Sequence, residues 1–314
     1  MDIVSVVIPT YDRSHLVTRA LDSVYEQTYR PIECIVVDDG STDDTAEVVK
    51  KWKRAHTSDD FCVRLLQQEN QGAPAARNHG MEAARGDYLL FLDSDDELHR
   101  AALSTLHQTI VTGEVDAAYG DVLVMKQNGQ NERRQQRPSS ASDVVNMQKG
   151  APITSSAMVR REAVQGVWWR EELPCAQEFA FFLDLSLRGV RFSYDPTVVL
   201  KKHEDPGQDS ISGQDDIDYP LTISRILIDV ESEVRSLGIP ENIQYDRGLV
   251  HFAGILYRKG YRTEAEELFR KSHRGRALWS ALQDWRSSVF LPAVLTPQWS
   301  AMLYKSLGRW IYRA

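Results

Sequence analysis

Tyr88-Leu89-Leu90-Phe91-Leu92-Asp93-Ser94-Asp95-Asp96 is the stretch on which the reading of this chain turns. Five apolar or aromatic residues run straight into three carboxylates within four positions. The apolar run has no polar alternation, so it reads as a strand buried on both faces. Burying a carboxylate is costly unless its charge is compensated, so the strand must end where the acids begin. The acids then stand at a rim open to water, a cation or a ligand, and in open α/β sheets ligands bind at the carboxyl ends of the strands. Asp-x-Asp in that place suits a hard divalent cation, which takes oxygen ligands. The alternative is a cap on the helix expected over residues 100–112. One acid would suffice for a cap, whereas three favour a ligand site.

Outward from this stretch the chain alternates strands and helices. Residues 4–8 form a short apolar strand ended by Pro9 and Thr10, and Ser14 is placed to cap a helix over 15–27. A strand over 32–37 closes in Asp38-Asp39-Gly40-Ser41 and leads to a helix over 44–52. A third strand covers 63–66, and a helix over 73–84 has Pro74 in its first turn and Gly86 just past its end. Such βαβ units build a largely parallel sheet. Two strands end in acids, at Asp38-Asp39 and at residues 93–96, a repetition at one rim that packing does not explain. Further strands are expected over 116–125, 154–159 and 192–200, with a polar loop or hairpin tip over 126–142. A helix runs from Glu178 to Gly189, and residues 201–207 form a polar break. The glycine fingerprint of dinucleotide-binding folds and the Walker loop are both missing, so a bound nucleotide is held by acids and a cation.

The chain has 314 residues, of which 42% are hydrophobic, enough for one large domain and an appendage. No apolar run reaches the roughly 18 residues of a membrane span. The N-terminus leads directly into a strand, without the basic start and cleavage site of a signal peptide. Cys34, Cys62 and Cys175 are odd in number and far apart, which suits a reducing, cytoplasmic setting better than a disulfide framework or a zinc site. Residues 251–314 carry 11 Lys and Arg against 4 Asp and Glu, a net of +7, leaving −15 on the rest of a chain whose total is −8. So acidic a body argues against nucleic acid as its partner.

Past residue 218 the pattern turns helical, which divides the chain into an α/β domain over 1–218 and a helical extension over 219–314. A helix is expected over 221–237, and a pair over 248–260 and 263–273 turns at Gly260-Tyr261 like a single tetratricopeptide unit without a second copy. In the tail, Trp299, Leu303, Leu307, Trp310 and Ile311 share one helical stripe, and Lys305, Arg309 and Arg313 line another. That pattern suits peripheral membrane contact through residues 299–313 at an anionic surface, and equally suits packing on the protein's own body.

Four blocks in order carry a resemblance. They are residues 4–13 (Val-Ser-Val-Val-Ile-Pro-Thr-Tyr-Asp-Arg), residues 36–43 (Val-Val-Asp-Asp-Gly-Ser-Thr-Asp), Asn70-Gln71-Gly72 with Ala76-Arg77-Asn78, and Asp93-Ser94-Asp95-Asp96. Together they resemble the inverting family 2 glycosyltransferases of the GT-A fold, whose Rossmann-like, mostly parallel central sheet is flanked by helices. The resemblance is strong over about the first 120 residues, weaker to His203 and absent beyond. It implies a nucleotide-diphosphate-sugar donor, a saccharide or lipid-linked acceptor, and Mg2+ or Mn2+ as cofactor. Residue by residue, it implies that Pro9 and Tyr11 line the base pocket with Thr10 and Arg13 beside them, and that Asp39 accepts a hydrogen bond from the base. Arg77 matches a nucleotide-contacting position, Asp93 and Ser94 face the ribose or metal, and Asp95 holds the metal, with Asp96 its substitute if the register slips by one. The family's catalytic base sits in an acid pair followed by an aromatic and a Leu-rich helix. Here Gln177-Glu178-Phe179 matches, so Gln177 replaces the first acid and Glu178 takes the base position. The competing reading of Glu178 is a helix cap.

Some relatives bring a His to the metal after the last strand of the domain, where this chain has His203; the alternative is a surface His among lysines. Trp168 and Trp169 suit an acceptor-stacking platform, with one of them as readily a core residue. Two other functions compete: a sugar-nucleotide pyrophosphorylase, which needs a Gly-rich loop that residues 9–13 do not supply, and a non-catalytic nucleotide-sugar-binding module, which has no need of Asp39, Asp93, Asp95 and Glu178 together.

Overall fold

A computed structural model describes residues 2–126, 128–203 and 219–272. In it β1 (Val4–Thr10), β2 (Ile32–Asp38), β3 (Phe61–Gln67) and β4 (Tyr88–Phe91) alternate with α1 (Val17–Tyr25), α2 (Thr45–His56) and α3 (Ala73–Ala83). β1, β2 and β4 are buried at every residue, as strands covered on both faces by helices must be. β1 pairs in parallel with β2 on one side and with β4 on the other. The order β3-β2-β1-β4 therefore reverses direction at β1, and such a switch point opens a crevice at the carboxyl ends of the strands.

β5 (Asp96–Leu98), α4 (Ala102–Gly113), β6 (Ala117–Met125), β7 (Glu132–Arg134), α5 (Asp143–Lys149), β8 (Ala157–Arg160), α6 (Gln177–Leu187) and β9 (Phe192–His203) extend the unit. Among the described residues the sheet runs β3-β2-β1-β4-β8-β6-β9-β5, with β7 on β6. It is parallel from β3 to β4 and mixed beyond: β8 runs antiparallel to β4 and β6, and β5 antiparallel to β9. One hydrophobic cluster joins Val6, Ile8, Val36 and Leu90 of the sheet to Leu21, Val24, Trp52 and Leu106 of the helices. α3 lies so close to β1 that a Cβ at Gly80 would stand 2.3 Å from Val7 Cγ1. Glycine there sets the distance between sheet and helix.

Several expectations are corrected. The polar break at 201–207 is not one at its start, because β9 continues to His203. Lys201 and Lys202 are held in strand by backbone pairing to β6 and β5, and their charges meet Glu97 and Asp96. Tertiary pairing thus overrides the low strand preference of lysine. The strand expected at 154–159 begins as a 3-10 turn, Thr154–Ser156, and becomes β8 only at Ala157. α5 was not foreseen; it is capped by the Ser142 hydroxyl, which accepts from Val145 N–H at 3.4 Å.

The chain divides into two compact units between Tyr219 and Pro220. The described helices of the second are α7 (Tyr219–Asp229), α8 (Glu231–Arg235), α9 (Ile239–Lys259) and α10 (Arg262–Lys271). α9 and α10 form a hairpin turned at Gly260, whose φ of 96° is the left-handed conformation that glycine allows. The single helix expected over 221–237 breaks at Val230. The break lets both pieces reach α9: Tyr245 Oη donates to the Leu227 carbonyl at 2.8 Å, and Arg235 pairs with Asp246 at 2.9 Å. No described helix is long and apolar enough to cross a membrane. The stripes at 299–313 lie outside the described residues.

Glu33 ties three strands together below the site. Its carboxylate accepts from Ser5 Oγ at 2.7 Å on β1, from Arg64 at 2.9 Å on β3 and from Arg85 N–H at 2.9 Å ahead of β4. Burial pushes its pKa up, but the Arg85 amide, the Ser5 hydroxyl and the Arg64 guanidinium outweigh burial and hold it below the usual 4.5. A group lowered on folding stabilises above its unfolded value and stops doing so as pH falls through the folded one. Glu33→Gln, which turns an amide toward these donors, is expected to lose roughly 3 kcal/mol at neutral pH. The gap to wild type should narrow on acidification below about pH 4. Urea unfolding at the two pH values checks this; a gap that widens in acid contradicts it.

Candidate active site

The site begins with a turn. After β4, Asp96 N–H donates to the Asp93 carbonyl at 3.0 Å, closing Asp93-Ser94-Asp95-Asp96 into a four-residue turn of residue types that favour one. The turn folds the three carboxylates together: one oxygen from each of Asp93, Asp95 and Asp96 lies within 4.8 Å of the others. Asp93 N–H is fixed by Ser155 Oγ at 3.0 Å. Leu92 N–H still donates to Val7 on β1 at 2.9 Å, so the turn stands at the switch-point rim.

The environments of the three differ. Asp93 Oδ1 accepts from Arg77 at 2.8 Å; burial pushes its pKa up, but Arg77 and Lys202 prevail and lower it. Asp95 is raised, first by burial and then by the charge of Asp93. Asp96 is fully buried, and among the described residues neither carboxylate oxygen has a hydrogen bond of good geometry, with Ser155 its nearby hydroxyl and Lys202 Nζ 3.7 Å away. Burial first, then Asp93 and Asp95, push it up to about 8 against the opposing pull of Lys202. The expectation that all three acids face an open rim thus fails for Asp96, because the chain turns back there into β5. Like carboxylates this close resist joint ionisation unless a cation is present. Oxygen donors alone, two of them buried without a hydrogen bond among the described residues, fit a hard divalent cation.

Beside the turn, β1 and β2 end together. Asp39 N–H donates to the Thr10 carbonyl at 2.9 Å. The Asp39 carboxylate, 3% exposed, accepts from Gln68 Nε2 at 2.8 Å, Gln71 N–H at 2.9 Å and Gly72 N–H at 2.8 Å. It therefore shapes the loop that starts α3. Asp12, at φ 49°, accepts from Thr42 N–H at 2.7 Å, and Arg13 N–H donates to Thr45 Oγ1 at 2.9 Å. This lacing holds Pro9, Thr10, Tyr11 and Arg13 against the loop after β2, with the Tyr11 ring exposed.

Arg77 is not at the surface. It is 7% exposed and lies with its guanidinium 4.7 Å from the Trp169 ring centroid, donating to Asp93 and, at 3.2 Å, to Gln177 Oε1. Through it the carboxylate turn is braced to the start of α6. Trp169 stacks on Phe181 at 4.2 Å and is 1% exposed, so it belongs to the core, whereas Trp168 is 50% exposed. Glu178 is half-buried in the first turn of α6, and its carboxylate has no hydrogen bond or ion pair among the described residues. The N-cap residue is Ala176, and Glu178 is the acid of the first turn, where its charge also suits the helix N-terminus.

The structure thus gathers Pro9, Thr10, Tyr11, Arg13, Asp39, Asp93, Ser94 and Asp95 at one rim and links them to Glu178 through Arg77. It leaves His203 outside the carboxylate cluster: its Nε2 is 3.3 Å from Glu97 Oε2. Two participants escaped the sequence reading. Asp96, held there only in reserve, is the most deeply buried of the three acids, and Lys202 is the cation beside it. Residues 198–203, Val-Val-Leu-Lys-Lys-His, show no alternation, so the sequence carries no local signal for Lys202.

Comparison with known proteins agrees with this geometry. The family model for Glycosyl transferase family 2 matches residues 5–168, and the chain belongs to that family. Campylobacter jejuni GalNAc(5)-diNAcBac-PP-undecaprenol beta-1,3-glucosyltransferase is 37% identical over 125 residues, 39% of this chain and 39% of that protein. Matched segments span 17% to 39% of four curated relatives that are 36% to 38% identical. The fold resembles Staphylococcus aureus TarS in complex with UDP-GlcNAc, with TM-score 0.67 and 20% identity over 88% of this chain and 84% of that one. It also resembles the Pyrobaculum calidifontis mannosyltransferase PcManGT in complex with GDP-Man and Mn2+, with TM-score 0.58 and 20% identity over 90% of this chain and 79% of that one. The α/β sheet with flanking helices is thus that of the GT-A glycosyltransferases.

Arg77→Met removes the cation that balances Asp93. Breaking such a pair costs roughly 3–5 kcal/mol, much of it because the partner charge stays buried. The expected result is a large drop in urea midpoint that Asp93→Asn partly recovers when added. Strict additivity of the two substitutions would show that the pair carries no coupling.

Proposed function

We infer that the protein transfers a sugar from a nucleotide-diphosphate-sugar to an acceptor hydroxyl, with inversion and with Mg2+ or Mn2+ at the carboxylate turn. The observation that carries this reading is the convergence of Asp93, Asp95 and Asp96 at the switch-point rim of a family 2 chain. The ligands of the two structural relatives, UDP-GlcNAc in one and GDP-Man with Mn2+ in the other, support it. Asp95 holds the cation with Asp93 and Asp96. When bound, the cation offsets charge on the diphosphate leaving group as a Lewis acid.

The chain's own residues do the rest. Pro9, Thr10 and Tyr11 face the base, with Arg13 and Ser94 on the nucleotide-sugar. Asp39 Oδ2 accepts one protein hydrogen bond and keeps a lone pair for a base N–H. Arg77 serves by setting Asp93 and the start of α6. Glu178 takes the proton of the acceptor hydroxyl as its oxygen attacks the anomeric carbon. The bond from that carbon to the phosphate oxygen breaks, and its electron pair leaves with the nucleoside diphosphate. One displacement inverts the centre. The acceptor is a saccharide or lipid-linked saccharide, a reading supported by the undecaprenol-linked acceptor in the name of the Campylobacter jejuni relative. Cytoplasmic placement with residues 299–313 against the inner membrane face would suit such an acceptor.

Asp95→Ala is expected to abolish the Mn2+-dependent part of nucleoside-diphosphate binding while leaving the melting temperature near wild type. Calorimetry with UDP and GDP, with and without Mn2+, reads this directly. Unchanged affinity in Mn2+ removes Asp95 from the metal site.

Glu178→Gln is expected to bind donor normally and to lose roughly 10²–10⁴ in transfer rate. Product release by the wild type and the variant, with donor saturating, is the measurement. Near-normal turnover would move the base elsewhere, with Glu172 and Asp205 next in line.

A further inference from the structure

A groove of about 780 Å³ lies beside the donor rim, between α3 and residues 168–172. One wall is a single face of α3: Ala75, His79 and Glu82 recur at i, i+4 and i+7. The small Ala75 leaves the space open. The facing wall is Trp168, Trp169 and Glu172. Trp168 exposes half of its surface there, a large apolar ring that the core does not use. Trp169 is buried, yet its indole N–H has no hydrogen-bond partner among the described residues. Glu82 and Glu172 are exposed and carry no hydrogen bond or ion pair among the described residues. The one arginine of the wall, Arg170, is turned to Asp184 at 2.9 Å.

We propose that this groove is a subsite for an uncharged saccharide unit of the acceptor, stacked on Trp168 and hydrogen-bonded through its hydroxyls to Glu82 and Glu172. The chemistry decides the class of ligand. A flat exposed aromatic face next to acceptor-only carboxylates suits a pyranose ring, which is apolar on its C–H face and rich in O–H donors at its edge. The groove's volume falls within the range of small-ligand sites. The same carboxylates repel uronic acids and phosphorylated sugars, so the lining selects by charge as well as by shape. The groove also communicates with the chemistry. Its wall residue Trp169 carries Arg77, which holds Asp93, and Gln68 and Gln71 at its floor are bonded to Asp39. A chain of sugars lying in it would run toward the rim where transfer takes place.

The assignment rests on the transferase reading, and the test keeps the two apart. Full-length protein is titrated by calorimetry and saturation-transfer NMR with chitohexaose and maltohexaose as neutral probes and hexagalacturonate as the anionic one. UDP and GDP with Mn2+ are titrated in parallel. The expected result is saturable binding of at least one neutral hexaose and none of hexagalacturonate. Trp168→Ala should weaken the neutral probe about tenfold while nucleotide binding is unchanged. Glu82→Gln with Glu172→Gln should let hexagalacturonate bind. Nucleotide binding with no neutral hexaose bound overturns the subsite and leaves the transferase standing. So does hexaose binding that is indifferent to Trp168→Ala, or hexagalacturonate binding to the wild type as tightly as the neutral probe. Loss of nucleotide binding in the wild type strikes at the transferase reading instead.

Discussion

Three carboxylates that a single tight turn forces together are the constraint around which the rest of the site is arranged. Left alone, Asp93, Asp95 and Asp96 would repel one another, and the last of them is fully buried. The fold compensates from two directions. Arg77 reaches Asp93 from α3, and Lys202 approaches Asp96 from β9. Arg77 comes from the helix just before β4, but Lys202 comes from β9, about a hundred residues on, so the cluster is fully balanced only once the sheet is assembled. What the protein charges leave uncompensated is the share that suits a divalent cation.

The same residues that balance charge also transmit position. Arg77 lies on Trp169 and bonds Gln177, so the carboxylate turn and the helix that carries Glu178 share one brace. A family pattern with an acid at position 177 would offer a second carboxylate to that guanidinium. Gln177 offers only a neutral carbonyl oxygen, which leaves Asp93 as the sole anion paired with Arg77 among the described residues. Asp39 plays the matching part on the other side of β1, where three donors from the segment 68–72 fix its carboxylate. Gly80 makes both arrangements possible by letting α3 settle onto Val7. Position in this site is set by backbone closeness and by short buried hydrogen bonds, which hold geometry better than long exposed ones.

Much was legible in the chain itself. The unbroken apolar run at 88–92 marked β4 as buried on both faces, and the apolar stretches of β1 and β2, interrupted only by Ser5 and Glu33, marked those as strands. The acids that end two of those runs located the rim, since carboxylates cannot continue into a dry core. Glu178 was singled out by the family resemblance, which aligns Gln177-Glu178-Phe179 with an acid pair ahead of a Leu-rich helix. The helix caps and strand ends shifted by a few residues, as local signals there compete with pairing.

What the sequence by itself determined was therefore every element whose burial pattern is local: the parallel strands, the acids at their ends, the helices that cross between them. Only the tertiary structure decided which charges meet. Lys202 looked like part of a surface break, and backbone pairing to β5 and β6 made it a strand residue beside Asp96. Trp168 and Trp169 are adjacent and chemically identical, yet packing against Phe181 and Phe91 sent one into the core and left the other on a groove. Arg77 matched a position that touches nucleotide, and the structure buries it beside Asp93, Gln177 and Trp169, partners the sequence did not reveal. The physical reason is the same in each case. A side chain's burial and partners depend on which distant strand or helix arrives beside it, and neither composition nor periodicity carries that information.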